Sequence, residues 1–339
     1  MSNYSSVSDL SRAFHTRLAN NFLNKKIEVL SKEVSTGIRA DIASHLGGDL
    51  SIITQLEDKI SRLTILNKNA HHAELLLTSV QDSLQAIQDK SSKLGPSILA
   101  ASTSGTADQI DILGTQAMEF LSSVISSLNT SISGRSLFGG SITSTSPFPT
   151  LDQIIAGARL TISGATTASD IDSALSSWLD APFGDGGFFD NVYQGNEQAP
   201  FKIPVSPGQT ASINFTAHNQ SIRDIIKGAL IFTIAGDSSS SFSVDDKKQL
   251  FRHAGLNIIN GNDRLSVERA SIGAAQETVA KAILKNESEM TTLAISRNKF
   301  ISADPFETAL ALKEAESGLK NIYTLTARLS TLSLTDYLR

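Results

Sequence analysis

Residues 56–98 read LEDKISRLTILNKNAHHAELLLTSVQDSLQAIQDKSSKLGPSI. Within them Leu56, Ile60, Leu63, Leu66, Ala70, Ala73, Leu77, Val80, Leu84, Ile87, Leu94 and Ile98 advance in steps of three and four, with one gap at Ser91. That spacing lines one stripe of an α-helix. From Leu50 to Lys93 it predicts a helix of about 44 residues, about 66 Å long at 1.5 Å per residue. Globular helices average about 11 residues, so the stretch reads as a rod. Gly95-Pro96 is expected to kink or end it, because proline lacks the N–H and clashes with the preceding turn. A further helix fits 107–132 on Ile110, Leu113, Ala117, Leu121, Val124 and Leu128.

The other end of the chain mirrors this arm. From Asn262 to Ile301 no proline intervenes, and Leu265, Ile272, Val279, Ile283, Met290, Leu293 and Phe300 share a stripe. About forty residues give a rod of about 60 Å. Two rods of matched length from opposite ends bury their stripes by packing antiparallel. Shorter amphipathic segments lie outside them. Leu10, Phe14, Leu18, Phe22 and Val29 form a stripe that stops at Ser35-Thr36-Gly37, with glycine in the usual place after a helix. Asp304-Pro305 opens a last helix, with proline in its first turn. There Leu312, Ala315, Leu319, Ile322, Thr326, Leu329 and Ser333 step by three and four. These terminal helices are expected to pack on each other and on neighbouring subunits, and to fray where no neighbour covers them.

Between the arms the breakers gather. Six of the eight prolines fall between 147 and 207, and ten of the 22 glycines between Gly134 and Gly208. Phe201, Ile203 and Val205, then Ala211, Ile213 and Phe215, alternate as a hairpin turning at Ser206-Pro207-Gly208. Leu151–Thr161 and Ser169–Leu179 read as short helices, the second with Ser169 as N-cap. Residues 222–234 read as helix, or as helix then strand. An inserted α+β domain follows. The divisions are then 1–45, an assembly helix; 46–140, a rod; 141–242, the insert; 243–303, the second rod; and 304–339, a second assembly helix.

Composition narrows the function. The 29 Lys and Arg against 34 Asp and Glu give a net charge of −5, which lacks the basic footprint of a nucleic-acid binder. No cysteine is present, so disulfides, thiolate metal sites and cysteine nucleophiles are excluded. The start has neither a basic nor an apolar signal region, and no apolar run approaches the length of a membrane span. Neither a cleaved signal peptide nor membrane insertion is expected.

Catalytic chemistry finds little to stand on. His71 and His72 are adjacent and diverge on a helix, and no histidine pair sits at i, i+4. Gly184-Asp185-Gly186-Gly187 lacks the Lys-Ser/Thr of a phosphate loop, and Asp185 and Asp190 lack the alternating ligands of a calcium loop. Trp178, Phe188, Phe189 and Tyr193 beside these acids are the nearest approach to a ligand cluster, and insert packing accounts for them. The expectation is a protein with no enzymatic activity, no cofactor and no metal.

Several segments carry a resemblance. Val34-Ser35-Thr36-Gly37-Ile38-Arg39 after an amphipathic helix, and the stretch from Leu265 to Ala274 with its Arg269 and Gly273-Ala274, resemble the two arms of the flagellin superfamily. The likeness covers roughly 200 residues. Ser133-Gly134-Arg135-Ser136-Leu137-Phe138-Gly139-Gly140, Val192-Tyr193-Gln194-Gly195-Asn196 and the stretch from Leu332 to Leu338 are similar to its hook–filament junction branch, the hook-associated protein 3 family. The stretch from Ala40 to Asp49 departs from the Asp-rich turn usual there.

The resemblance implies a mainly α fold, a flagellin-like coiled-coil bundle of two antiparallel rods with the smaller α+β insert. It implies a secreted structural subunit of the bacterial flagellum, exported by the flagellar type III system and self-assembling as a ring at the hook–filament junction. Its partners would be further copies of itself, flagellin, another hook-associated protein and an export chaperone at the C-terminal helix. Subunit packing would fall to Leu10, Phe14, Leu18, Phe22, Leu319, Ile322, Leu329, Leu332, Leu334 and Tyr337. A flagellin of the filament, and an exported adhesin or effector with a binding insert, are the alternatives.

Overall fold

The computed structural model describes residues 3–197, 201–237 and 242–337, with side chains described except at 3–10, 201, 213 and 329–337. Its elements are α1 (Asn3–Thr36), α2 (Ile42–His45), α3 (Ser51–Ser104), α4 (Ala107–Leu128), β1 (Ser131–Ile132), β2 (Arg135–Ser136), α5 (Leu151–Thr161), α6 (Ala168–Asp180), α7 (Phe188–Asn191), β3 (Phe201–Ser206), β4 (Gln209–Ile213), α8 (Gln220–Gly236), α9 (Val244–Ile301) and α10 (Pro305–Tyr337). The fold is mainly α, and its strands form two separate antiparallel hairpins, β1–β2 and β3–β4. The chain divides into two compact units, residues 63–288 and the pair 1–62 with 289–339.

In the unit 63–288 the stripe of α3 is buried as its spacing requires: Leu63, Ala70, Leu77, Leu84, Ile87 and Ile98 are all within the core. The gap at Ser91 is filled by that serine itself, fully buried, its hydroxyl donating to the Ile87 carbonyl at 2.8 Å. On α9, Leu265, Ile272, Val279 and Ile283 are buried likewise. Each such side chain contributes about 1.5–3 kcal/mol by leaving water. The two helices run antiparallel, since Thr78 meets Gln276, Gln81 meets Arg269 and Gln88 meets Ser266.

The helix α3 does not end at Gly95-Pro96 but runs through to Ser104, and α9 spans Val244–Ile301. A Cβ added at Gly95 would lie 3.0 Å from Ile259 and 3.1 Å from Ile258, and one at Gly255 would lie 3.1 Å from the Gly95 carbonyl oxygen. These glycines are where two helix backbones approach, and the packing they allow outweighs the cost of one proline on an exposed face.

The insert packs on α8, whose residues from Ile222 to Ala235 are almost all buried. Thus 222–234 is wholly helical. The helix α6 is capped by Thr167, not Ser169: the Thr167 hydroxyl accepts from the Asp170 N–H at 3.1 Å, and the Asp170 carboxylate accepts from the Thr167 N–H at 2.9 Å. The β3–β4 hairpin turns at Gly208, where φ is +73°. Asn286 of α9, with no solvent exposure, fastens it: its amide donates to the Val205 carbonyl at 2.7 Å and its oxygen accepts from the Ser206 hydroxyl at 3.0 Å.

In the other unit both helical paths break at one level. Gly37, at φ +67°, ends α1, and Ile38 pairs with Ser302 between α9 and α10. The Arg39 N–H donates to the Ile301 carbonyl at 2.9 Å, and the Ala303 N–H to the Gly37 carbonyl at 3.0 Å. Glu33, only 6% exposed, accepts from the Ala40 N–H at 2.8 Å and faces Arg39, which reaches Glu307 at 3.5 Å. The Asp304 carboxylate caps α10, accepting from the N–H groups of Phe306 and Glu307. The terminal helices thus enter side by side, and they pack on each other as helices.

Candidate assembly surface

At about 100° per residue, Thr16, Asn20, Leu23, Ile27 and Leu30 of α1 fall on one arc, and all five are half-buried. This face meets α10, where a Cβ at Gly318 would sit 3.5 Å from Leu23. On α10, Thr308 and Ala315 are buried and Leu319 and Ile322 half-buried, all on one narrow arc. Phe14, Leu18, Phe22 and Val29 occupy the opposite side of α1 and stay 62, 53, 65 and 44% exposed. Lys25 and Lys32 lie on that same side and flank Val29, so the stripe is apolar from Phe14 to Phe22 and mixed beyond it. On α10, Phe306 (81% exposed) and Leu310 (49%) lie opposite its buried face. Each terminal helix therefore carries two apolar faces. One is spent within the chain, and the other remains in water.

The ten residues expected to assemble subunits divide accordingly. Phe14, Leu18 and Phe22 face outward, while Leu319 and Ile322 line the face turned to α1. The side chains of Leu10, Leu329, Leu332, Leu334 and Tyr337 lie outside the described residues. The sequence reading missed Leu23, Ile27 and Leu30 as the internal face. Their offset of half a turn from the Phe14 stripe was the available signal.

The other candidates resolve into packing. Phe188, Phe189 and Tyr193 are buried, and Trp178 packs edge-on against Phe188 with ring centroids 5.0 Å apart. Asp190 accepts from the Gly184 N–H at 2.9 Å and the Gly186 N–H at 2.7 Å, bonds that hold its carboxyl below the usual range. It therefore staples its own turn. Among the described residues no group of three or more His, Asp or Glu is placed to hold a metal, and no helix is long and apolar enough to cross a membrane. Two of the segments quoted from the sequence, one just before the insert and one within it, meet: the Tyr193 hydroxyl donates to the Phe138 carbonyl at 3.0 Å, and the Asn196 N–H to the Gly139 carbonyl at 3.1 Å. Burial pushes the Tyr193 phenol up from its ordinary value.

The segment from Leu265 to Ala274 holds both neighbours of α9. The Arg269 guanidinium donates to Gln81 at 2.9 Å and also to Gln88, and the Gln81 amide donates to the Arg269 carbonyl at 2.8 Å. Glu268 turns the other way. Its Oε2 accepts from the Asn219 amide and the Ser221 hydroxyl, each at 3.1 Å, at the start of α8. Burial pushes its carboxyl up, against the downward pull of those two bonds.

No curated protein matches the chain. Among solved structures one similar chain is described as a flagellar hook-associated protein of Vibrio parahaemolyticus, at 15% identity and a TM-score of 0.43, over 73% of this chain and 99% of that one. Residues 7–143, which hold the outward stripe of α1 and the whole of α3, match the family model of the bacterial flagellin N-terminal helical region.

Proposed function

We propose that the chain is a secreted structural subunit of the bacterial flagellum that polymerises through the outward faces of its terminal helices. The observation that carries this reading is the stripe Phe14, Leu18, Phe22, left in water inside the segment that matches a flagellin helical region. Fully covering these three and Val29 of the same stripe in a neighbouring copy would contribute about 6–12 kcal/mol before association costs. That suits a stable polymer and has no use in a monomer. Within the flagellum the position proposed is the hook–filament junction, as a ring between flagellin and another hook-associated protein. The segments around Phe138 and Tyr193 support that position over the filament. Export through the flagellar type III system, with a chaperone on α10, goes with the same reading, as does a structural role without catalysis.

Electron microscopy of cells lacking the chain, with the medium probed for flagellin, tests both levels. Bare hooks with flagellin spilled into the medium are expected. Loss of the filament without released flagellin would make the chain a filament subunit. Normal flagella would overturn the proposal.

A further inference from the structure

Aspartate or asparagine followed by glycine occurs twice in the chain, at Asp185-Gly186 and Asn260-Gly261. Such pairs rearrange without a catalyst when the glycine nitrogen attacks the preceding side-chain carbon Cγ. Glycine, having no Cβ, lets the backbone fold back far enough for that attack. In an unstructured peptide the asparagine pair reacts faster, since a neutral amide accepts a nucleophile more readily than a charged carboxylate does. The fold reverses that order.

Asn260-Gly261 lies inside α9. The Gly261 N–H is committed to the helix ladder, and Gly261 is buried against α8, where an added Cβ would lie 2.8 Å from the Ser221 carbonyl oxygen. Its nitrogen cannot turn toward Asn260 without unwinding that packing. Asp185-Gly186 stands instead in an exposed turn between α6 and α7, with Gly184 at φ +98° and Gly186 at +76°. Here the reacting nitrogen is restrained by a bond of its own: the Gly186 N–H donates to Asp190 Oδ2 at 2.7 Å. That carboxylate fixes the plane of the Asp185–Gly186 peptide and holds the proton that the nitrogen must release. Its negative charge also opposes the amide anion through which the attack proceeds.

We propose that Asp185-Gly186 is the site at which the folded chain forms isoaspartate, and that Asp190 slows the reaction there. The Gly186 nitrogen bonds to Asp185 Cγ, the Cγ–OH bond of the protonated carboxyl breaks, and the hydroxyl leaves with the amide proton as water. The product is a five-membered succinimide, which solvent water reopens. Attack at Cγ restores aspartate. Attack at the main-chain carbonyl of Asp185 frees that carboxyl and routes the backbone through Cγ, one methylene longer. The turn has no slack for that methylene at its far side. A Cβ on Gly187 would lie 2.8 Å from the Trp178 carbonyl oxygen, and the buried Phe188 and Phe189 follow directly. Isoaspartate therefore loosens the contact of Trp178 with Phe188. The proposal does not depend on the flagellar reading.

The test ages the full chain, Asp190→Ala and Asp190→Asn, all folded, in ¹⁸O-labelled water at mildly acid pH. Digestion and electron-transfer mass spectrometry then locate the label and any isoaspartate. Every ring opening leaves one solvent oxygen at residue 185, including those that restore aspartate. Label and isoaspartate at Asp185 are expected in the native chain above every other aspartate, with Asn260 unconverted. The rate should rise at least tenfold in Asp190→Ala and fall between the two in Asp190→Asn, which keeps a neutral acceptor. Trp178 is the one tryptophan, and its emission in the fresh variants reports whether the packing beside the turn is intact; where Asp190→Ala disturbs it, Asp190→Asn carries the comparison. In denaturant Asn260 should overtake Asp185, because the helix that protects it is gone. Conversion of Asn260 first in the folded chain, no label at Asp185, equal rates with and without Asp190, or an unchanged order in denaturant would overturn the proposal.

Discussion

Replacing Asn286 by alanine removes one side chain and strands two groups. Asn286 has no exposure, and it reaches from α9 to the turn of the β3–β4 hairpin, through Val205 O at 2.7 Å and Ser206 Oγ at 3.0 Å. Val205 and Ser206 are themselves 0 and 2% exposed, so water does not replace the lost partner. An unsatisfied buried group costs about 1–3 kcal/mol, and two of them about 2–6 kcal/mol. Alanine returns at most about 0.7 kcal/mol through its better helix propensity, and the Ser206 hydroxyl relieves part of its share by rotating. The net expectation is about 2–4 kcal/mol, felt locally at the hairpin. In a chain of two units a global unfolding midpoint is a poor readout, so the assay is native-state hydrogen exchange of the amides in 202–212. At 1.4 kcal/mol per tenfold, exchange there should quicken by about 30- to 700-fold, while amides of α4 hold steady. Ser206→Ala in the Asn286→Ala background should cost much less than in the native chain. A change below threefold at the hairpin, or an equal change throughout, would refute the reasoning.

Three further outcomes are expected. Phe22→Asp should leave amide exchange in α1 and α10 of the monomer unchanged and abolish polymerisation in sedimentation, whereas its neighbour Leu23→Asp, against Gly318, should increase that exchange; similar behaviour of the two would dissolve the distinction between faces. Glu268→Gln should alter the pH dependence of stability. The carboxyl is raised in the folded protein above its ordinary value of 4.5, so the folded state holds the proton more tightly, and the native chain loses stability as pH rises through 4.5 and the folded value. The glutamine variant lacks that loss, so its stability relative to the native chain should improve from pH 4 to pH 7 in denaturant titrations; a constant difference would refute the link. Gly318→Ala meets only ordinary contact with Leu23, so about 0.5–1 kcal/mol of backbone entropy is recovered, and slower exchange in α10 is the measurement.

The stripe of α3 was legible because burial on one face leaves a period in the sequence, and Gly37 was legible as a stop because φ of +67° suits glycine. What could not be read were the glycines that act through packing. Gly95 and Gly255 look like breakers along the chain, yet each serves a neighbour distant in sequence. Gly114 and Gly236 do the same between α4 and α8, where a Cβ on Gly114 would lie 2.8 Å from the Gly236 Cα. On α1 the stripe Phe14, Leu18, Phe22 was visible, but a single period was asked to cover α10 and a neighbour together. Two opposed faces, the second on Leu23, Ile27 and Leu30, divide that work. Asn286 gave no signal, because a polar residue on a long helix reads as solvated until the hairpin is seated on it.

The level pairing of Ile38 with Ser302 joins α1 to a helix that lies beyond 268 intervening residues, from Gly37 to Asp304. Closing an open chain of that length would cost about 5 kcal/mol, so the pair forms late, after the intervening residues have folded. Until then α1 shows both its apolar sides. The α10 of a second molecule offers the same groove-filling face and the same bridge as its own. Which one arrives is decided by effective concentration rather than by any contact, because the contacts are identical. At high protein concentration the terminal helices should therefore trade places between molecules, giving an exchanged dimer through the very surface that the folded monomer keeps for itself.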